Sequence, residues 1–200
     1  MKVRVINDGI IRGGKGCNIP GIYFENKELT KKDKKSLKWA IENNIKIISQ
    51  SFVENKRDID HIRKYICEIN GDLKSIKLLS KIETNLGVDN FKEIIRYSDG
   101  IIIARGDLIP ECGLINSVDK EFDLLLKVKK YEKEKEVIIA THILDNMRKG
   151  IIPNINELES IYTFVNLGVT GFLLASETSI GNYPVKSVEM LKMLINLYKK

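Results

Sequence analysis

The sequence predicts an α/β fold of parallel βα units forming part of a (β/α)8 barrel, and three observations predict it. Five short apolar runs alternate with stretches of helical periodicity, the pattern that builds parallel sheets. Each run ends in a polar or ionisable residue, in turn Ser51, Glu83, Asp107, Thr141 and Glu177. In βα barrels and open α/β sheets, chemistry gathers at those strand ends. The third observation is arithmetic. A closed barrel takes eight strands and roughly 250 residues, whereas this chain of 200 offers five βα units and a first strand at VRVIN, so three units are missing.

Residues 1–27 are expected to form that strand and a Gly-rich connection, GIIRGGKGCNIPG. Thr30 caps a helix running to about Asn43, with Asp33 in its first turn, because a hydroxyl there satisfies a free helical amide. A strand over 45–52 precedes a helix over 56–68, whose buried stripe is Ile59, Ile62, Ile66 and Ile69, with Cys67 on its apolar side. A strand over 76–83 leads to a helix near 88–97. The strand at 100–104 is nearly continuous Ile, which suits cover on both faces. Pro110 and Gly113 place a loop before a helix over 119–135. A strand over 137–141, a loop ending near Pro153, a helix over 156–167, a strand over 171–175 and a helix over 184–198 complete one expected domain. The segments SDGIIIARGD and GVTGFLLASE share a layout that hints at an internal βα repeat.

Composition narrows the function. Hydrophobic content of 43% is ordinary for a soluble globular chain. No run approaches the ~20 apolar residues of a membrane span and no signal-like segment opens the sequence, so a cytoplasmic protein without a membrane partner is expected. Cys17, Cys67 and Cys112 are odd in number and widely spaced, fitting neither a disulfide framework nor a zinc site. The net charge of +6 and pI near 9.1 come largely from lysines mixed with acids in TKKDKKSLKWAIENN and KVKKYEKEKE. These are solvated helix faces, so nucleic acid is not an expected partner. Anionic metabolites suit the positive field better.

Lys81 and Glu83 stand two apart in SKIE and share one face of a strand. They form either a structural ion pair or a working one. Gly106 lets the backbone turn sharply and present amides to an anion. Asp107 either caps the next turn or, with Glu83 on the adjacent strand, offers hard oxygen ligands to Mg²⁺, an ion often held by one or two carboxylates. Thr141 is a helix cap or a hydroxyl at the same opening. Glu177 and Thr178 are catalytic or cap a helix beginning near Asn182. His142 is an acid–base group or a structurally satisfied ring, and His61 carries no functional reading.

Together these segments resemble the pyruvate kinase family. The matching stretches are KGCNIPG (15–21), LTKKD (29–33), SFV (51–53), SKIETNLGVDNFKEIIRYSDGIIIARGDL (80–108), IIATHILDNM (138–147) and ETSIGNYPVKSVEML (177–191), in family order from about residue 5 onward. The resemblance implies the second part of that family's catalytic barrel. Lys81 matches the lysine that steadies the phosphoryl group in flight. Glu83 and Asp107 match the divalent-metal ligands, for Mg²⁺ or Mn²⁺. Gly106 and Asp107 match residues whose amides hold the carboxylate of phosphoenolpyruvate, and Thr141 matches the hydroxyl that joins them. The family's amino-terminal strands, lid domain and carboxy-terminal domain have no counterpart in these 200 residues. Its phosphate-contacting arginine and potassium ligands lie among those regions, so K⁺ is not carried over. Inside the matched part, Glu54 stands for an arginine, Leu86 for an acid, Ile109 for a glycine, Ile155 for an arginine associated with the subunit interface, and Ala175-Ser176 for Ser-Gly.

The implied activity is glycolytic phosphoryl transfer from phosphoenolpyruvate to ADP, giving pyruvate and ATP. The alternatives are a metal-dependent lyase or aldolase acting through a pyruvate enolate, and a non-catalytic phosphoenolpyruvate-binding remnant. An open crescent of five units exposes strand edges. A homo-oligomer, or a partner chain supplying the missing strands, is therefore expected.

Overall fold

The computed structural model describes residues 28–199 apart from residue 133, together with residues 4, 6, 8–10, 13–14 and 19–22. Of the strand expected over 3–7 only residues 4 and 6 are described, and Cys17 lies outside. Among the described residues five strands form one parallel sheet in sequence order: β1 (Ile47–Gln50), β2 (Lys77–Ile82), β3 (Gly100–Ala104), β4 (Glu136–Ala140) and β5 (Gly171–Leu173). Each strand pairs with the next in parallel and helices intervene. The result is a curled partial (β/α)8 barrel, as the alternation of apolar runs and helical periods implies.

The sheet has two unlike faces. Leu78 and Ile82, Ile101 and Ile103, and Val137 and Ile139 belong to the main core, with the helices. Leu79, Ile102, Ala104 and Ala140 form a small second cluster, with Ile138 packed on it. Strand alternation sends Lys81 to that second face. All five residues of β3 are buried; each fully buried Ile contributes on the order of 1.5–3 kcal/mol. The outer strands differ: Ile47 of β1 is 54% exposed and Leu173 of β5 is 41% exposed.

Helix α1 (Lys31–Glu42) starts at the expected Thr30 cap, and α2 (Lys56–Glu68) spans the expected 56–68. Thr30 exchanges hydrogen bonds with Asp33 in a capping box, and Asn55 does so with Asp58. Ile59, Ile62 and Ile66 are buried. Ile69 is the half-buried C-cap instead of a stripe residue, and Cys67 is exposed, not on the apolar side.

Several boundaries move. The helix expected near 88–97 is two, α3 (Asn85–Asp89) and α4 (Phe91–Tyr97), broken at Asn90, whose side chain donates to the Glu54 carbonyl. The loop expected around Pro110 is helix α5 (Arg105–Cys112). Burial of Leu108 and Glu111 outweighs the lost Pro110 amide, and the helix stops two residues later. Helix α6 (Leu114–Tyr131) begins five residues earlier than expected because its first turn exposes Leu114, Ile115 and Val118, hiding the period. Helix α7 (Ile155–Asn166) has the Asn154–Glu157 capping box, and short helix α8 (Ser176–Ser179) precedes α9 (Pro184–Tyr198). Among the described residues no helix is long and apolar enough to cross a membrane.

Candidate active site

The polar residues singled out in the sequence stand at the carboxyl end of the sheet. Lys81 lies in β2, opposite Ile102 of β3, and Glu83 follows the strand. The Lys81 ammonium is 2.6 Å from Glu83 Oε1 and donates to the Ser51 hydroxyl at 3.2 Å. Glu83 is almost fully buried, and its Oε2 accepts the Phe52 amide at 2.6 Å. Burial pushes the Glu83 carboxyl above its ordinary pKa, while Lys81 and the Phe52 amide oppose that rise and the Asp107 charge adds to it. Asp107 is thus close enough for its charge to be felt at Glu83.

On the neighbouring strand the chain passes directly from β3 into α5. Gly106 and Asp107 therefore occupy the helix's first turn, where amides lack helical acceptors and favour negative charge. The Gly106 amide donates to Thr141 Oγ1 at 2.9 Å. A side chain on Gly106 would meet that oxygen at 3.2 Å. Thr141 in turn donates to the Ala140 carbonyl at 2.6 Å. The amide and the hydroxyl that the resemblance assigns to one carboxylate bond to each other.

Strain gathers at the same end. Phe52 has φ 54°, Thr141 φ 66° and His142 φ 53°, left-handed values that bulky or β-branched residues adopt at a cost of about 1–3 kcal/mol each. This is why β1 and β4 end before the expected 52 and 141.

Other candidates stand apart. His142 is exposed, with Nδ1 2.6 Å from Asp145 Oδ2. Glu177 is fully buried and accepts the amides of Leu144 at 3.2 Å and Ala175 at 2.9 Å. It braces two loops and caps no helix near Asn182; α9 begins at Pro184. Among the described residues no group of three or more His, Cys, Asp or Glu is arranged to hold a metal. Sequence reasoning passed over Phe52 and Arg105. Arg105 donates through Nε and Nη2 to the Thr141 carbonyl at 3.1 and 2.7 Å, and also to that of His142. Its place inside the ARGD stretch was the available signal.

The chain matches the pyruvate kinase barrel-domain family over residues 1–188. It belongs to that family. Relatives include the pyruvate kinases of Methanocaldococcus jannaschii, 36% identical over 92% of this chain and 40% of that protein, and Candida albicans, 35% identical over 96% and 37%. The pyruvate kinase of Encephalitozoon cuniculi is 33% identical over 97% of this chain and 44% of its own length. This pyruvate kinase barrel segment therefore spans less than half of the curated relatives it matches.

Proposed function

We propose that the chain forms the phosphoenolpyruvate- and Mg²⁺-binding part of a pyruvate kinase-type phosphotransferase, which passes phosphoryl to ADP to give pyruvate and ATP. The observation that carries the proposal is the Lys81–Glu83 contact of 2.6 Å at the strand end, beside the Asp107 charge. A buried carboxylate with a second acid nearby suits a divalent cation between them, because the ion would offset the burial that chiefly raises Glu83 and the smaller push of the Asp107 charge. Glu83 and Asp107 would hold Mg²⁺, which supplies charge neutralisation and Lewis-acid polarisation of substrate oxygens.

The chain's own groups account for the rest. Lys81, on the side of Glu83 away from the main core, would meet the transferring phosphoryl group, where a fixed ammonium offsets developing charge. The Gly106 and Asp107 amides at the start of α5 would receive the substrate carboxylate. For that, the Thr141 hydroxyl must release the Gly106 amide and donate to the same carboxylate. With Ala175 where the family has a serine, no proton donor to the enolate is assigned.

Titration calorimetry with phosphoenolpyruvate and Mg²⁺, followed by a coupled assay for pyruvate after adding ADP, tests the reading. Mg²⁺-dependent binding and ADP-dependent pyruvate formation are expected, the latter when a polypeptide carrying the missing three βα units is supplied. Absence of phosphoenolpyruvate binding would sink it. Oxaloacetate decarboxylation without ADP dependence would favour the lyase alternative, and binding without turnover under any combination would favour the remnant.

A further inference from the structure

Arg105 is mostly buried, yet its donors do not go to its counter-ion. Glu121 of α6 lies with Oε1 3.8 Å from Arg105 Nε, beyond hydrogen-bond reach, and that buried oxygen has no hydrogen-bond partner. The guanidinium instead spends Nε and Nη2 on the carbonyls of Thr141 and His142. Its far side rests against the Phe164 ring of α7, 5.3 Å from the ring centre. Those carbonyls belong to the two consecutive left-handed residues that leave β4. Such a turn needs its carbonyls held from outside, since neither residue favours it.

We infer that Arg105 and Glu121 are positioning residues: the Arg105 fork, held from behind by Glu121, clamps the Thr141–His142 turn and so sets the Thr141 hydroxyl against the Gly106 amide. An ordinary ion pair filling space between α6 and the sheet would turn its donors toward the carboxylate. Here three donations go to the turn, and Glu121 stands behind the guanidinium at 3.8 Å. Asp145 and Glu177 add negative charge around the same group. The clamp's meaning for ligand binding rests on the function proposed above; the clamp itself does not.

The test compares Arg105→Lys, Arg105→Met and Glu121→Gln with the parent by residue-resolved amide hydrogen exchange and phosphoenolpyruvate–Mg²⁺ titration. A lysine keeps the charge but is a point donor that cannot reproduce the fork. In Arg105→Lys, exchange at Gly106 and Thr141 should speed about tenfold or more while amides of β2 stay unchanged. Glu121→Gln should move the same two amides by a smaller factor. Affinity should fall by a similar factor in both.

Exchange at those amides within twofold of the parent would overturn the clamp, as would a uniform rise across α6 and the sheet, the mark of a merely structural pair. Faster local exchange with undiminished affinity would overturn its positioning role. Faster local exchange in a chain whose parent form binds no phosphoenolpyruvate would support the clamp and sink the proposed substrate. Should Arg105→Met fail to fold, the lysine and glutamine variants still decide.

Discussion

At Glu83 one carboxylate answers to an ammonium, a backbone amide and burial. Removing the ammonium strands it. Lys81→Met should cost about 3 kcal/mol of stability, and combining it with Glu83→Gln should recover most of that loss; urea unfolding of the two singles and the double measures the coupling. On the proposed function, the same Lys81→Met is expected to lower turnover by about a hundredfold or more with phosphoenolpyruvate binding retained, read from kcat and titration together. Glu121 behaves differently. Burial lifts it from 4.5 to about 7, against the pull of Arg105. The folded chain thus holds a proton that the unfolded chain has released, so this contribution is full below 4.5 and is lost as pH rises through 7. It amounts to about 3 kcal/mol at most. Comparing parent and Glu121→Gln by urea unfolding at about pH 5 and about pH 8 should show a larger fall with pH in the parent than in the variant, which keeps only the part due to raised Glu83.

Among the elements, α2 and α5 begin in contrasting ways. The amino end of α2 is closed by its own residues: Asn55 accepts from Arg57 and Asp58, and the buried Asp58 carboxylate accepts the Glu54 and Asn55 amides. Asn55→Ala should cost about 1 kcal/mol, seen as a lower urea midpoint. The start of α5 has Ala104 as N-cap and no side-chain cap, so its Gly106 amide takes Thr141 from another strand instead. Thr141→Val should cost a further ~1 kcal/mol and, on the proposed function, weaken phosphoenolpyruvate. The repeat hinted at in SDGIIIARGD and GVTGFLLASE reappears as β3–α5 and β5–α8, each helix following an alanine N-cap and carrying an acid in its first turn. The acids part company. Asp107 acts on Glu83, whereas Glu177 is sealed beneath two loops.

For the whole molecule, the two outer strands decide behaviour. Along β1 a groove of about 740 Å³ is lined by Leu37, Trp39, Ile45, Ile47 and Phe52, and Trp39 is 59% exposed. Among the described residues β1 and β5 are the outer strands, and parallel edges with apolar neighbours invite another chain. The chain by itself should associate with rising concentration in sedimentation velocity, and a polypeptide bearing the absent βα units should suppress that association. A monomer that stays monomeric at high concentration and ignores such a polypeptide would argue against this.

Among the described residues, local pattern alone settled which segments are strands, their order, and the pairing of Lys81 with Glu83. Period-two burial, apolar run length and i, i+2 geometry are properties of neighbours in the chain. The same holds for the cap at Thr30. Packing between distant segments decided the rest. It turned the Pro110 stretch helical over buried Leu108, split the helix at Asn90 and exposed Cys67. It also sent Glu177 inward and aimed Arg105 at carbonyls 36 and 37 positions away. Charge and polarity are written residue by residue. Where each is spent depends on which unpaired amides, carbonyls and apolar surfaces the closing sheet brings beside it.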